Sequence, residues 1–312
     1  MYRRDKLWRQ SLDLLRTLCA RNGICPSSFT LPEQSLQKLS DRPIASGGFA
    51  DVWKGTYHDN DVAIKVWRLH GRDITSSVLK NFCKEAVVLK YLKHPNITSL
   101  IGIETTIFPL CLVCEWMPLG TLVSYLVQHP NTNRLDLLVD ITAGLTYLHA
   151  MDIVHGDLKG VNILVNQRRK ACLSDFGLAA FRYENRTAHI STMSLAAGTM
   201  RWTAPEIMDP ETFGLERARS SKQADIYAFS MVMWEVFTGQ IPFADLPRDA
   251  TIMHKVLQGC RPKRPSEAAG LGLSDTVWDI MQRGWHADHR ERPAITRVQE
   301  QLDDAMDEAG DL

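Results

Sequence analysis

Residues 135–175 constrain the fold more than any other stretch, because the chain changes period twice there. Leu135, Leu138, Ile141 or Thr142, Leu145 and Leu148 recur at helical spacing, which predicts a long buried helix. The polar set His155, Asp157, Lys159 and Asn162 follows. Two β-type runs, Ile163–Val165 and Ala171–Leu173, then flank the basic turn Gln167-Arg168-Arg169-Lys170. This layout predicts a loop, delivered by a helix and closed by a strand, that presents an acid, a cation and an amide to one point. A carboxylate that orients a hydroxyl, a lysine that neutralises a phosphate and an asparagine that binds a metal are the parts phosphoryl transfer needs.

The remaining bounds are mostly exclusions. With 312 residues the chain can hold one two-lobed domain or two ordinary ones. Lys+Arg and Asp+Glu are equal at 36 each, so no global basic field points to nucleic acid or to an anionic membrane. No apolar run of about 18 residues predicts a membrane span, and the first residues lack a signal-peptide core. The seven scattered cysteines predict reduced thiols and an intracellular, cytoplasmic setting. Cys111 and Cys114 share an apolar strand-like run, where an odd offset places them on opposite faces and disfavours a metal or redox pair.

Residues 1–36 read as an N-terminal helical extension and linker. Leu7, Ser11, Leu14, Leu15 and Leu18 recur at helical spacing, and Asn22-Gly23 before Cys25-Pro26 predicts the helix end. The extension either packs on the body of the protein or holds a partner. From about residue 37 the pattern is strand, glycine turn, strand. Ile44-Ala45-Ser46-Gly47-Gly48-Phe49-Ala50-Asp51-Val52 sets small residues where backbone N–H groups could close over phosphates, although a plain hairpin explains it equally. Val62-Ala63-Ile64-Lys65-Val66 alternates as a strand. Phe82, Glu85 and Leu89 share one face of a following helix, which His94-Pro95 closes.

In this order, Val62–Val66, His155–Asn162, Asp175-Phe176-Gly177 and Ala204-Pro205-Glu206 resemble the motif series of the protein kinases, over residues 37–305. The resemblance implies an α+β, bilobal fold. A small antiparallel β-sheet lobe carries one key helix, and a larger lobe is mainly helical. Residues 306–312 are left as an acidic tail. It also implies ATP and Mg²⁺ as cofactors and an unidentified protein substrate. Lys65, paired with Glu85, would hold the α- and β-phosphates; Asp157 would orient the acceptor hydroxyl, and Lys159 would balance charge on the moving group. Asn162 and Asp175 would bind the metal. Residues 44–52 would cover the phosphates, while Ala63, Cys114, Glu115, Met117 and Leu164 would enclose the adenine. Cys114 takes the gatekeeper place, where a small residue would open a back pocket to bulky inhibitors. Asp225 would tie the loop backbone from below, and Arg292 would pair with Glu206.

Two departures from the family pattern stand out. Ala45 and Ala50 replace glycines of the phosphate loop, and Gly156 replaces an arginine. Without that cation, activity is expected to depend little on phosphorylation of Thr187, Ser191, Thr192 or Ser194. Lys159 together with Gly198-Thr199 resembles Ser/Thr kinases, whereas Trp202–Glu206 resembles tyrosine kinases. The mixture is similar to the tyrosine-kinase-like branch of Ser/Thr kinases, and residues 47–55 with His155-Gly156-Asp157 resemble fungal members of that branch. The expected activity is transfer to Ser/Thr hydroxyls in intracellular signalling. A catalytically weak scaffold and a dual-specificity or tyrosine kinase are the alternatives.

Overall fold

Two residues at positive φ, His58 (46°) and Asp59 (62°), close the hairpin between β3 (Ala50–Tyr57) and β4 (Asn60–Trp67). That turn matches the right-handed twist of the flanking strands and sets their register. The computed structural model describes residues 2–47, 50–68, 76–175 and 199–310. It divides into two compact units, residues 1–117 and 118–312.

The first unit is built on an antiparallel sheet of order β1-β3-β4-β6-β5, with β2 (Ala45–Ser46) on β3. Here β1 is Leu36–Lys38, β5 Leu100–Glu104 and β6 Cys111–Glu115. Alternation does the sorting. Val62 and Ile64 of β4 are sealed in a core with Leu31, Leu36, Cys111 and Val113. Ala63 and Lys65 point to the other face, where Cys114 lies directly opposite Ala63. Cys111 and Cys114 therefore sit on opposite faces, as their offset requires, and every cysteine is a free thiol.

Helix α2 (Ser76–Tyr91) buries Phe82, Glu85 and Leu89, and it also buries Cys83, Ala86 and Val87 completely. A helix apolar on two sides needs two partners. The second is α1 (Tyr2–Asn22), which packs on α2 and ends at Gly23 with φ 63°. The face of α1 differs from the expected one. Leu7, Leu14 and Leu18 are exposed, at 65%, 61% and 47%. Trp8, Leu12 and Leu15 are partly covered, and Cys19 is buried. The helix carries two apolar stripes that share Leu15, and the stripe one residue further round makes the contact.

The second unit is mainly helical. Its central helices are α4 (Arg134–Ala150), capped by Asn133, and α6 (Lys222–Thr238), capped by Ser221 and ended by Gly239 in the left-handed region. Around them lie α3 (Leu122–Gln128), α5 (Pro205–Met208), α7 (Asp249–Leu257), α8 (Asp275–Gly284) and α9 (Ile295–Gly310). The two-stranded β7–β8 ribbon, Ile163–Val165 and Ala171–Leu173, packs on α4. The expected separate tail from residue 306 is corrected in part: α9 runs on to Gly310. Met306, Asp307 and Glu308 continue its helical run, and no Gly or Pro stands before Gly310 to stop it. Among the described residues no helix is long and apolar enough to cross a membrane.

Candidate active site

In the first unit, β2 folds back on β3 in the register Ala45↔Val52 and Ser46↔Asp51. Ile44 N–H donates to Val52 O at 2.8 Å, and Gly47 N–H donates to Ala50 O at 2.9 Å. Ser46 Oγ donates to Asp51 at 2.7 Å, and Arg68 reaches the same carboxylate at 2.6 Å. The Arg68 and Ser46 hydrogen bonds hold the Asp51 carboxyl below its ordinary value. Gly48 and Phe49, two of the expected phosphate-loop residues, lie outside the described residues.

Lys65 projects from the open face of β4, and its Nζ lies 3.1 Å from Glu85 Oε1. The side chains are only 12% and 4% exposed, so water screens the pair weakly. Lys65 also sits 5.0 Å over the Trp67 ring, which meets Phe82 edge-on at 5.4 Å. Trp67 and Phe82 thus set the spacing between sheet and helix that lets lysine and glutamate meet. At the end of β6, Glu115 N–H donates to Ser99 O at 3.1 Å, and Met117 is buried.

In the second unit, the loop after α4 is hung from one carboxylate. Asp225, in the first turn of α6, accepts from His155 N–H and Gly156 N–H, both at 2.8 Å, and lies 2.8 Å from His149 Nε2. Gly156 adopts φ 73°, a left-handed conformation that favours glycine over any L side chain. His155 is fully buried; burial lowers its pKa against the opposing pull of the Asp225, Asp157 and Asp175 carboxylates.

Above this anchor, Asp157 Oδ2 lies 3.2 Å from Lys159 Nζ and 3.0 Å from Asn162 Nδ2. Asn162 Nδ2 also donates to Asp157 O at 2.7 Å, so the amide is oriented and its Oδ1 is the atom left for a cation. Lys159 donates to Thr199 Oγ1 at 2.8 Å. Ser174 donates to Asn162 O from both its N–H (2.9 Å) and its Oγ (2.8 Å), which fixes the residue before Asp175. Asp175 itself sits at φ 57°. Leu164 is half-buried on β7, opposite Cys172. Phe176 and Gly177, like Thr187, Ser191, Thr192, Ser194 and Gly198, lie outside the described residues.

Sequence reasoning missed Glu235. It is buried inside α6, and its Oε2 accepts from Gly160 N–H and Trp202 Nε1–H, both at 3.0 Å. Burial pushes its carboxyl up to about 7, against the pull of those donors and of Lys159. A Cβ at residue 160 would collide with the Glu235 carboxylate, so glycine is required there. The available signal was one charged residue inside the apolar run Met231–Phe237. The expected Arg292–Glu206 pair is bidentate at 2.7 Å twice, with side chains 0% and 2% exposed. Arg292 and Arg261 stack on Tyr227 at 5.1 and 5.2 Å.

The donor set suits magnesium that arrives with phosphates. Among the described residues no group of three or more His, Cys, Asp or Glu side chains could hold a metal ion. Mg²⁺ characteristically takes one or two protein oxygens and fills its octahedron with phosphate and water. Asn162 and Asp175 match that demand.

Comparison with known proteins bears on residues beyond these. A family model described as protein tyrosine and serine/threonine kinase matches residues 39–302. The chain is 31% identical over 272 residues to serine/threonine-protein kinase STY46 of Arabidopsis thaliana, which covers 86% of this chain and 44% of that one. It is 28% identical over 302 residues to STY17 of the same plant, covering 93% and 50%. A probable serine/threonine-protein kinase of Dictyostelium discoideum is 29% identical over 267 residues, covering 84% and 27%. The chain thus spans half or less of the length of these relatives.

Proposed function

The chain belongs to the protein tyrosine and serine/threonine kinase family, with relatives in its tyrosine-kinase-like branch, and we propose that it transfers the γ-phosphoryl group of ATP to serine or threonine hydroxyls of proteins. The observation that carries this reading is the convergence of Asp157, Lys159, Asn162 and Thr199 within hydrogen-bond or ion-pair distance.

Asp157 accepts a hydrogen bond from the incoming hydroxyl, aims its oxygen at the phosphorus and takes its proton as the bond forms. Lys159, already beside Asp157, supplies positive charge where the transferred group gathers negative charge. The Lys159–Thr199 bond ties the loop to the segment that leads into Ala204-Pro205-Glu206, where a protein acceptor would dock. In the first unit, Lys65 holds the α- and β-phosphates and Glu85 holds Lys65. Residues 44–52 would cover the phosphates, while Ala63, Cys114 and the backbone of Glu115 and Met117 would receive the adenine. Because Glu115 N–H is engaged by Ser99, its carbonyl is the group for the adenine amino edge. Asn162 and Asp175 would hold magnesium, which neutralises phosphate charge when bound with ATP.

Phosphoamino-acid analysis tests the acceptor class. A generic basic protein, incubated with wild-type chain, magnesium and labelled ATP, should yield phosphoserine or phosphothreonine. Phosphotyrosine as the main product would overturn the assignment.

A further inference from the structure

The N-terminal extension meets α2 at two places and the sheet at a third. On α2, Phe82 and Glu85 belong to the row that faces the sheet, where they meet Trp67 and Lys65. Leu79, Cys83, Ala86 and Lys90 form a second row, about a third of a turn round the helix. The end of α1 lies on that second row. Cys83 and Ala86 are fully buried, and Cys19 and Ala20 in the last turns of α1 are buried too. Gly23 then turns the chain out of α1 at φ 63°, and a methyl group added there would fall 2.7 Å from Leu79 Cδ2.

The second contact is made by a single 3-10 turn, Ser27–Phe29, in which Phe29 N–H donates to Pro26 O at 2.9 Å. It sets the Phe29 ring, 2% exposed, against the last turn of α2. The ring meets Tyr91 edge-on at 5.9 Å, and Lys90 Nζ lies 5.9 Å over its face. Lys90 Nζ also donates to Ile101 O of β5 at 2.7 Å. The residues after Phe29 join the sheet. Thr30 forms a parallel bridge with Ile103, and Leu31 N–H donates to Ile103 O at 2.9 Å. A methyl group added at Gly102 would fall 2.8 Å from Phe29 O, so backbone lies on backbone here.

We propose that the extension is a built-in brace for Glu85, with Phe29 as its positioning residue. Strand β5 pairs with β6, and β6 pairs with β4, which carries Lys65. Phe29 is bonded into that sheet through its neighbours and packed on the end of the helix that carries Glu85. Glu85 therefore leaves Lys65 only if the Phe29 contact opens and the row of Cys83 and Ala86 is uncovered to water. A lysine on a flexible stem loses side-chain entropy when it is fixed, and the brace offsets that loss by holding the helix in place. Because the brace belongs to the same chain, the Lys65–Glu85 pair forms without a partner protein. The inference rests on the proposed nucleotide site only where a nucleotide is used to test it.

The test uses the full chain as wild type, Phe29→Ala, Glu85→Gln and the double variant. Mg-ADP, which carries the α- and β-phosphates and has no γ-phosphoryl group to transfer, is titrated calorimetrically into each. Phe29→Ala should weaken Mg-ADP about 10-fold when Glu85 is present and less than about 2-fold on Glu85→Gln, since a brace acts only through the pair. Equal weakening in both backgrounds, or none in either, would overturn the proposal. Hydrogen exchange supplies a readout without nucleotide. In Phe29→Ala the amides of residues 84–91 should exchange about 10-fold faster than in the wild type, while those of α4 keep their rates. Unchanged exchange in α2 would also overturn it. Phe29→Leu keeps most of the ring's volume and should show the same pattern at reduced size should Phe29→Ala fail to fold. A wild type that binds no Mg-ADP would count against the proposed nucleotide site, and the exchange rates would then decide the brace alone.

Discussion

Two ion pairs, one in each unit, are built on opposite plans. Arg292–Glu206 is a fork on a fork, fully enclosed, with Arg292 also donating to the carbonyls of His286 and Gln223. Every part of it is fixed by the second unit's own framework. Lys65–Glu85 joins a strand to a helix through a flexible lysine stem at 3.1 Å, and Lys65 keeps 12% of its side chain exposed. Arginine's planar fork suits a permanent joint, and a compact ammonium on a long stem suits a group that must also meet a ligand. Under the proposed function, the difference separates a pair that holds the fold from a pair that would hold the nucleotide.

Breaking the permanent joint should have the largest effect on stability. Arg292→Ala leaves the Glu206 carboxylate buried without its cation, and about 3–5 kcal/mol of stability should be lost, read as a lower urea midpoint. Lys65→Met should do the reverse. Transfer should fall about 100-fold or more, since the cation that would hold the α- and β-phosphates in place is lost, while the melting temperature moves by only a few degrees. If both variants lost stability equally, the comparison would fail.

Glu235 sharpens the contrast, because it is a buried acid whose hydrogen-bond donors, Gly160 N–H and Trp202 Nε1–H, are neutral. Its folded value of about 7 stands above the ordinary 4.5, so the folded chain holds a proton that the unfolded chain has released between those values. That contribution is complete below about 4.5 and is lost as pH rises through about 7. Stability should therefore decline across this window by about 3 kcal/mol. Glu235→Gln should flatten the decline and melt above the wild type at pH 8. The smallest effect is expected at Gly156, where Gly156→Ala must accept φ 73° and should lose about 1 kcal/mol, measured by thermal unfolding.

Much of this was legible because period and spacing carry it. The apolar period of α4 and the order of Lys65, Glu85, Asp157, Asn162 and Asp175 forecast the fold and the polar loop, and the geometry places each of these residues as described above. The face of α1 was not legible: two overlapping stripes satisfy helical spacing equally, and only the partner's shape decides between them. Glu235 and His149 were missed for another reason. They act on backbone or on Asp225 from far along the chain, 75 and 76 residues away, and no local spacing encodes such a contact.

The most direct measurement compares nucleotide binding with turnover in the wild type and Asp157→Asn. Asparagine keeps the side-chain shape but cannot take the hydroxyl proton. Magnesium-ATP should raise the melting temperature of both proteins equally, while turnover on a basic protein acceptor should fall at least about 100-fold in the variant. Equal turnover by the two proteins would contradict the role given to Asp157 and, with it, the site as drawn.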